Sequence, residues 1–202
     1  MPFNHNHHYH PLLLRQVPEG AKTALDVGCG TGLFARRLAS GGLDVDAMDP
    51  AGDVLEVARA LGSPGPGRIT YRHEDVTRAA LGTYDFISAI ASIHHVPFET
   101  VTALWKALAP GGVLVILGLA KPRSVPELVK WEIVSPPLNL AARIAVAVGE
   151  RLNGGRDPAP GPPVADWKMT MPQVRRESAS LLPGRTVRTL FFWRYLLICR
   201  RD

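Results

Sequence analysis

With 202 residues, 46% of them apolar and 20% charged, the chain is long enough for one domain with a full core and too short for two ordinary ones with linkers. No apolar run approaches the roughly 20 residues that cross a bilayer, and Met1-Pro2-Phe3-Asn4-His5 lacks the charged and then apolar regions of a secretory signal; no membrane insertion and a cytoplasmic location are expected. The net charge of +5 is modest and its arginines are scattered, apart from Arg175-Arg176 and Arg200-Arg201, with no interleaved basic and aromatic stripe, so no nucleic-acid partner is expected.

The first 20 residues bring together His5, Asn6, His7, His8, Tyr9 and His10. Adjacent histidines without carboxylate or cysteine company rarely make a fixed metal site, and no metal is expected. His7 to Leu14, ahead of Pro18, reads as a short helix or turn with Leu12, Leu13 and Leu14 packing down. Ala24 to Val27 is the first strand and Leu33 to Ser40 the first regular helix, with Leu33, Phe34 and Leu38 on one face. Between them, Gly28-Cys29-Gly30-Thr31-Gly32 turns backbone N–H groups and a helix N-terminus toward one point, which is a ligand site. Gly28 and Gly30 permit positive φ or close approach of a ligand, and Gly32 lets the helix pack close to the strand. The dinucleotide spacing G-x-G-x-x-G would need glycine where this chain has Leu33, which disfavours a nicotinamide cofactor. Cys29 and Cys199 lie far apart, form no disulfide or zinc pattern, and read as small buried apolar residues.

Leu43 to Met48 is a second strand that closes at Asp49-Pro50. Asp49 falls about 20 residues after the glycines, where an α/β nucleotide site places an acid on ribose hydroxyls; it is equally placed to cap a helix over 51–61. Val54, Leu55, Ala58 and Leu61 give that helix its apolar face, and Ser63 to Gly67 is a loop. Arg68 to His73 forms a third strand ending in Glu74-Asp75-Val76, with Asp75 placed to cap a helix from Thr77 to Leu81. Tyr84 to Ser92 is a fourth strand beside the first, with Ile93-His94-His95-Val96-Pro97 at its carboxyl end, where doubly wound sheets bind ligands. A helix from Glu99 to Ala109 stops at Pro110-Gly111-Gly112 before the buried fifth strand, Val113 to Leu119. Residues 126–134 and 138–152 read as two apolar helices of an insertion, followed by a proline- and glycine-rich loop from Gly154 to Pro163. The polar face of the second is too thin for a membrane-surface helix. Met171 to Leu182 is a last helix, and Thr186 to Phe192 with Arg194 to Arg200 an antiparallel pair around Trp193.

Leu25 to Ala35 resembles motif I of the class I S-adenosylmethionine-dependent methyltransferases, in particular their small-molecule branch, and Leu108 to Leu114 resembles that family's turn into the fifth strand. The resemblance runs through most of the chain. It implies an α/β, Rossmann-like doubly wound seven-stranded sheet in the order 3-2-1-4-5-7-6, strand 7 antiparallel, with helices on both faces and a helical insertion after strand 5. The implied cofactor is S-adenosyl-L-methionine, and the product S-adenosyl-L-homocysteine. Carried over residue by residue, Asp26 with Gly28, Cys29, Gly30 and Gly32 lies near the methionine part, Asp49 and Pro50 at the ribose, Asp75 and Val76 at the adenine, and Ala91 beneath the sulfonium.

In relatives the leading segment folds over the cofactor, which places Tyr9 and one of His8 and His10 at the active site. The insertion commonly forms the acceptor pocket, so Trp131 and Trp167 suggest an apolar or aromatic small molecule. A dimer contact or plain core is an equal reading of the insertion, and the chain is a monomer or a homodimer. For a hydroxyl or phenol acceptor His8, His10, His94 and His95 are the candidates for a general base, with His94 and His95 equally read as shaping the pocket. The Asp/Asn-Pro-Pro-aromatic motif of enzymes that methylate planar amines is absent at Ser88 to Ser92. The expected activity is methyl transfer to a small molecule. A cofactor-binding protein without transfer and a nucleic-acid methyltransferase are its rivals.

Overall fold

The computed structural model describes residues 5–63, 65–121, 169–190 and 193–202. Seven strands, β1 (Thr23–Val27), β2 (Asp44–Asp49), β3 (Ile69–His73), β4 (Tyr84–Ile90), β5 (Leu108–Leu119), β6 (Thr186–Thr189) and β7 (Arg194–Arg200), form one sheet in the order β3-β2-β1-β4-β5-β7-β6. Neighbours among β1 to β5 pair in parallel, whereas β7 runs antiparallel to both β5 and β6. This is the expected topology, including the reversed strand.

The central strands are covered on both faces, so they read as almost continuous apolar runs. Alternation along them divides the core in two. On one face Leu25, Ile87, Leu114 and Ile116 meet Val101 and Leu104 of α4 (Thr100–Lys106) and Val174 of α5 (Met171–Leu181). On the other, Ala24, Val45, Phe86 and Val115 meet Leu13 of α1 (His5–Leu14) and Phe34, Ala35 and Leu38 of α2 (Leu33–Ser40). α3 (Gly52–Ala60) buries Leu55 and Ala58 beside β2 and β3.

Some boundaries depart from expectation for visible reasons. No helix forms over 77–81: the Thr77 N–H and hydroxyl both donate to Asp75 Oδ1, at 2.9 and 2.8 Å, and the chain turns back instead. The helix expected over 99–109 is only α4, because Leu108 already pairs with Tyr84. Pro110-Gly111-Gly112 is therefore an irregularity inside β5, held where Gly111 N donates to Arg201 O at 2.7 Å and Arg201 N to Gly112 O at 2.9 Å. β4 stops at Ile90, ahead of Ala91 at φ 51°, and β6 ends at Thr189. The two insertion helices, with Trp131 and Trp167, lie outside the described residues.

Candidate active site

The order of the sheet reverses between β1 and β4, and that is where the glycine turn emerges. Gly28 N and Cys29 N donate to Met48 O at 2.8 and 3.0 Å, which draws the turn over the end of β2. The glycines do three different jobs. A Cβ on Gly28 would collide with Ser92, whose hydroxyl donates to Val27 O at 2.6 Å. A Cβ on Gly32 would sit 2.6 Å from the Tyr71 hydroxyl oxygen, so this glycine makes room for a β3 side chain rather than for close packing on β1. Around the Cβ position of Gly30 there is nothing within 4 Å. Protein fills the outer two positions, and the middle one faces open space. Gly32 is also the N-cap of α2 and offers no side-chain hydrogen bond, so no cap oxygen takes a first-turn N–H.

Carboxylates mark the neighbouring strand tips. Asp26, fully enclosed at the end of β1, accepts the Ser88 hydroxyl at 2.8 Å. Burial raises its carboxyl to about 7, the nearby Asp49 charge adding to the rise while Ser88 and the Ala35 N–H oppose it. The thiol of Cys29 is pushed up by burial and then by Asp26 and Asp49, which makes it a neutral packing group. Asp49 accepts Gly30 N through one oxygen and Ala51 N through the other, each at 2.9 Å. It thus closes the glycine turn and holds the backbone ahead of α3, but the N-cap of α3 is Ala51 with no side-chain cap bond, so the capping expected of Asp49 is not made. Pro50 O meets His73 Nε2 at 3.0 Å. Asp75 is exposed, its carboxyl held below the usual range by the Thr77 N–H and hydroxyl, and Val76 beside it is buried.

At the tips of β4 and β5 the chemistry changes. Ala91 occupies the left-handed region, a strained conformation for a residue with a Cβ, and is held there as its N–H donates to Leu117 O at 2.8 Å. The rings of His94 and His95 lie 4.1 Å apart. Burial, then the His95 and Arg194 charges, lower His94 to about 4, and its Nδ1 is buried without a hydrogen-bond partner. A base of that strength with no group to set its tautomer is poorly matched to proton abstraction near neutral pH. Arg194 Nε and Nη2 donate to Asn6 Oδ1 at 3.3 and 3.1 Å, tying α1 to the start of β7, and Tyr9 adds to the field at this guanidinium. His8 packs edge-on to Tyr9 at 5.1 Å. His10 turns the other way. It is buried, edge-on to Phe34 at 4.8 Å, and burial lowers it to about 2, so it belongs to the seam between α1 and α2.

Sequence reasoning missed Ser88, Ser92, Tyr71 and Arg194. Ser88 had a signal, a lone hydroxyl inside an apolar strand; the other three act across the fold. Of two grooves among the described residues, about 570 and 440 Å³, the larger lies away from these tips, and the smaller reaches Val76 and Thr77 beyond β3 but none of the glycine turn. The larger is at the amino-terminal end of the parallel strands, by Trp105, Thr186 and Arg200. Donor chemistry, not cavity size, therefore locates the site.

Residues 24–112 match the family model described as a methyltransferase domain. A curated uncharacterized methyltransferase of Mycobacterium tuberculosis is 32% identical over 207 residues, covering 98% of this chain and 97% of the relative. The chain is a class I S-adenosylmethionine-dependent methyltransferase. A ubiquinone biosynthesis O-methyltransferase of Pectobacterium carotovorum is 34% identical over 116 residues, 52% of this methyltransferase and 48% of that protein. Magnesium protoporphyrin IX methyltransferase of Synechocystis, solved with bound S-adenosylmethionine, superposes with a TM-score of 0.59 at 15% identity, covering 98% and 78% of the two chains, a likeness of fold. S-adenosylmethionine is the cofactor of this methyltransferase, and the open side of Gly30 flanked by acids on adjacent tips suits it: main chain for a zwitterionic end, carboxylates for hydroxyl and amine donors. Among the described residues no helix is long and apolar enough to cross a membrane.

Proposed function

We propose that this methyltransferase acts in the cytoplasm on a small apolar or aromatic acceptor, by in-line displacement at the cofactor's methyl group. The observation that carries the cofactor half is the unfilled space at Gly30, with Asp49 bonded to the same residue's N–H. In this reading Asp26 and the turn Gly28, Cys29, Gly30 and Gly32 hold the methionine part. Asp49 and Pro50 take the ribose, Asp75 and the Val76 N–H the adenine, and the Ala91 backbone lies beneath the sulfonium. The cofactor supplies an electrophilic methyl carbon. What the chain adds is placement of the acceptor's lone pair and exclusion of water.

For the acceptor, the support is the name of the ubiquinone biosynthesis relative together with the burial of His94. His94, His95, His8 and Tyr9 shape the acceptor side, and His10 supports α1 from beneath. The structure favours positioning over base catalysis at His94. The test is incubation with methyl-labelled S-adenosylmethionine and a panel of phenols and catechols, beside RNA and DNA. Label in an organic-extractable small molecule supports the reading. Label in nucleic acid overturns it, as does cofactor binding with no transfer to any small molecule, including those of a cell extract.

A further inference from the structure

The connection from β3 to β4 has no helix to hold it, yet it carries Asp75 and Val76. Within it, Thr77 bonds the Asp75 carboxylate, and Arg78 N and Ala79 N donate to Asp75 O at 3.0 Å each; one side chain then ties it to the sheet. Arg72, near the end of β3, donates from Nε and Nη2 to Glu74 Oε1 and Oε2 at 2.9 and 2.8 Å, a two-pronged fork. Nη2 also donates to Ala80 O at 3.0 Å. Nη1 lies 3.5 Å from Asp46 Oδ2, which accepts the Tyr84 hydroxyl at 2.7 Å. Glu74 precedes Asp75 and Ala80 follows Val76, so a single guanidinium grips this loop on both sides and ties it to β2 and β4.

We propose that Arg72 is a positioning residue for adenine recognition, clamping the Glu74–Ala80 loop so that Asp75 and the Val76 N–H meet the base edge-on. This rests on the assignment of Asp75 and Val76 to the adenine. The Arg72 side chain is 19% exposed and that of Glu74 41%, so water screens the pair chiefly at its Glu74 end and its contribution to stability is modest. Precision is another matter: a hydrogen bond to an exocyclic amine discriminates only when its acceptor is held to within a fraction of an ångström. Lysine cannot replace the fork, since it offers a point charge without two parallel donors.

The experiment compares calorimetric Kd values for S-adenosylhomocysteine and S-inosylhomocysteine, in which oxygen replaces the adenine amine. It uses the wild type, Arg72→Met, Arg72→Lys and Glu74→Gln, each with its melting temperature. The wild type is expected to prefer the adenosyl compound by about tenfold or more, as loss of a charge-assisted hydrogen bond implies. Arg72→Met and Glu74→Gln bring the ratio to within about threefold of one, chiefly by weakening the adenosyl compound, and Arg72→Lys restores it at most in part. Should Arg72→Met not fold, Glu74→Gln, exposed and outside the core, carries the comparison. If both ligands weaken together and the ratio survives, Arg72 is merely structural and the inference is overturned. A wild-type ratio near one removes the adenine assignment first and the inference with it.

Discussion

At the tips of β1, β2 and β3 the site is built from main chain and carboxylates, each within a few residues of the strand that presents it. At the tips of β4 and β5 it is built from side chains gathered from distant segments: His94 and His95 after β4, Tyr9 and Asn6 from α1, and Arg194 from β7. The first half is held by short backbone bonds such as Gly30 N to Asp49 and Gly28 N to Met48 O. The second is held by packing and by one guanidinium across the fold. A cofactor shared by a whole family needs fixed geometry, and the backbone supplies it. Acceptors differ among members, and side chains on separate elements can be exchanged without disturbing the sheet.

The sharpest way to break this comparison is to put side chains on the glycines. Gly28→Val drives a branched side chain into Ser92, and a loss of stability of about 2–4 kcal/mol is expected in chemical denaturation, with S-adenosylhomocysteine binding abolished. Gly30→Ala meets open space, so only the positive φ is strained, about 1 kcal/mol. Its binding should still fall steeply because the methyl occupies ligand space. Equal binding by Gly30→Ala and the wild type would place the ligand elsewhere.

Asp26 sharpens the comparison by pH. Burial pushes its folded carboxyl up from the ordinary 3.8 to about 7, so the folded state keeps a proton that the unfolded chain releases. Stability should therefore fall as pH rises from about 4 to about 7 and level off above, by up to about 4 kcal/mol. Asp26→Asn removes that slope, and urea denaturation at several pH values measures it. A wild-type curve with no excess slope over the variant would show that Asp26 is charged throughout.

On the acceptor side the expected effect is the smallest. With His94 lowered to about 4, His94→Ala should cost less than about tenfold in kcat, where loss of a general base costs roughly 10² to 10⁴. Single-turnover rates with cofactor saturating decide it, and a loss in the upper range would restore His94 as the base.

How legible each half was follows from the same contrast. Gly28 to Gly32, Asp49 and the strands could be read in sequence because their signals are local: glycine spacing, an acid closing a strand, and apolar runs that both faces of the sheet bury; the strand order came with the family resemblance. Tyr71 filling the space at Gly32, and Ser92 that at Gly28, come from more distant stretches, and nothing near the glycines announces them. The helix expected over 77–81 failed because Thr77 bonds Asp75 and Arg72 takes the Ala80 carbonyl. Proline and glycines at 110–112 read as a helix stop, whereas Arg201 fastens them into the edge of β5. His10 shared its cluster with His8 and Tyr9, but helical spacing turned it toward Phe34.

The central claim is that Asp49 and the glycine turn together grip the cofactor, and titration calorimetry of S-adenosylhomocysteine into the wild type and Asp49→Ala tests it most directly. The wild type is expected to bind and Asp49→Ala to lose about a hundredfold in Kd, since the carboxylate orders Gly30 and, in the proposed reading, receives the ligand's hydroxyls. Binding by Asp49→Ala as tight as by the wild type would contradict the account.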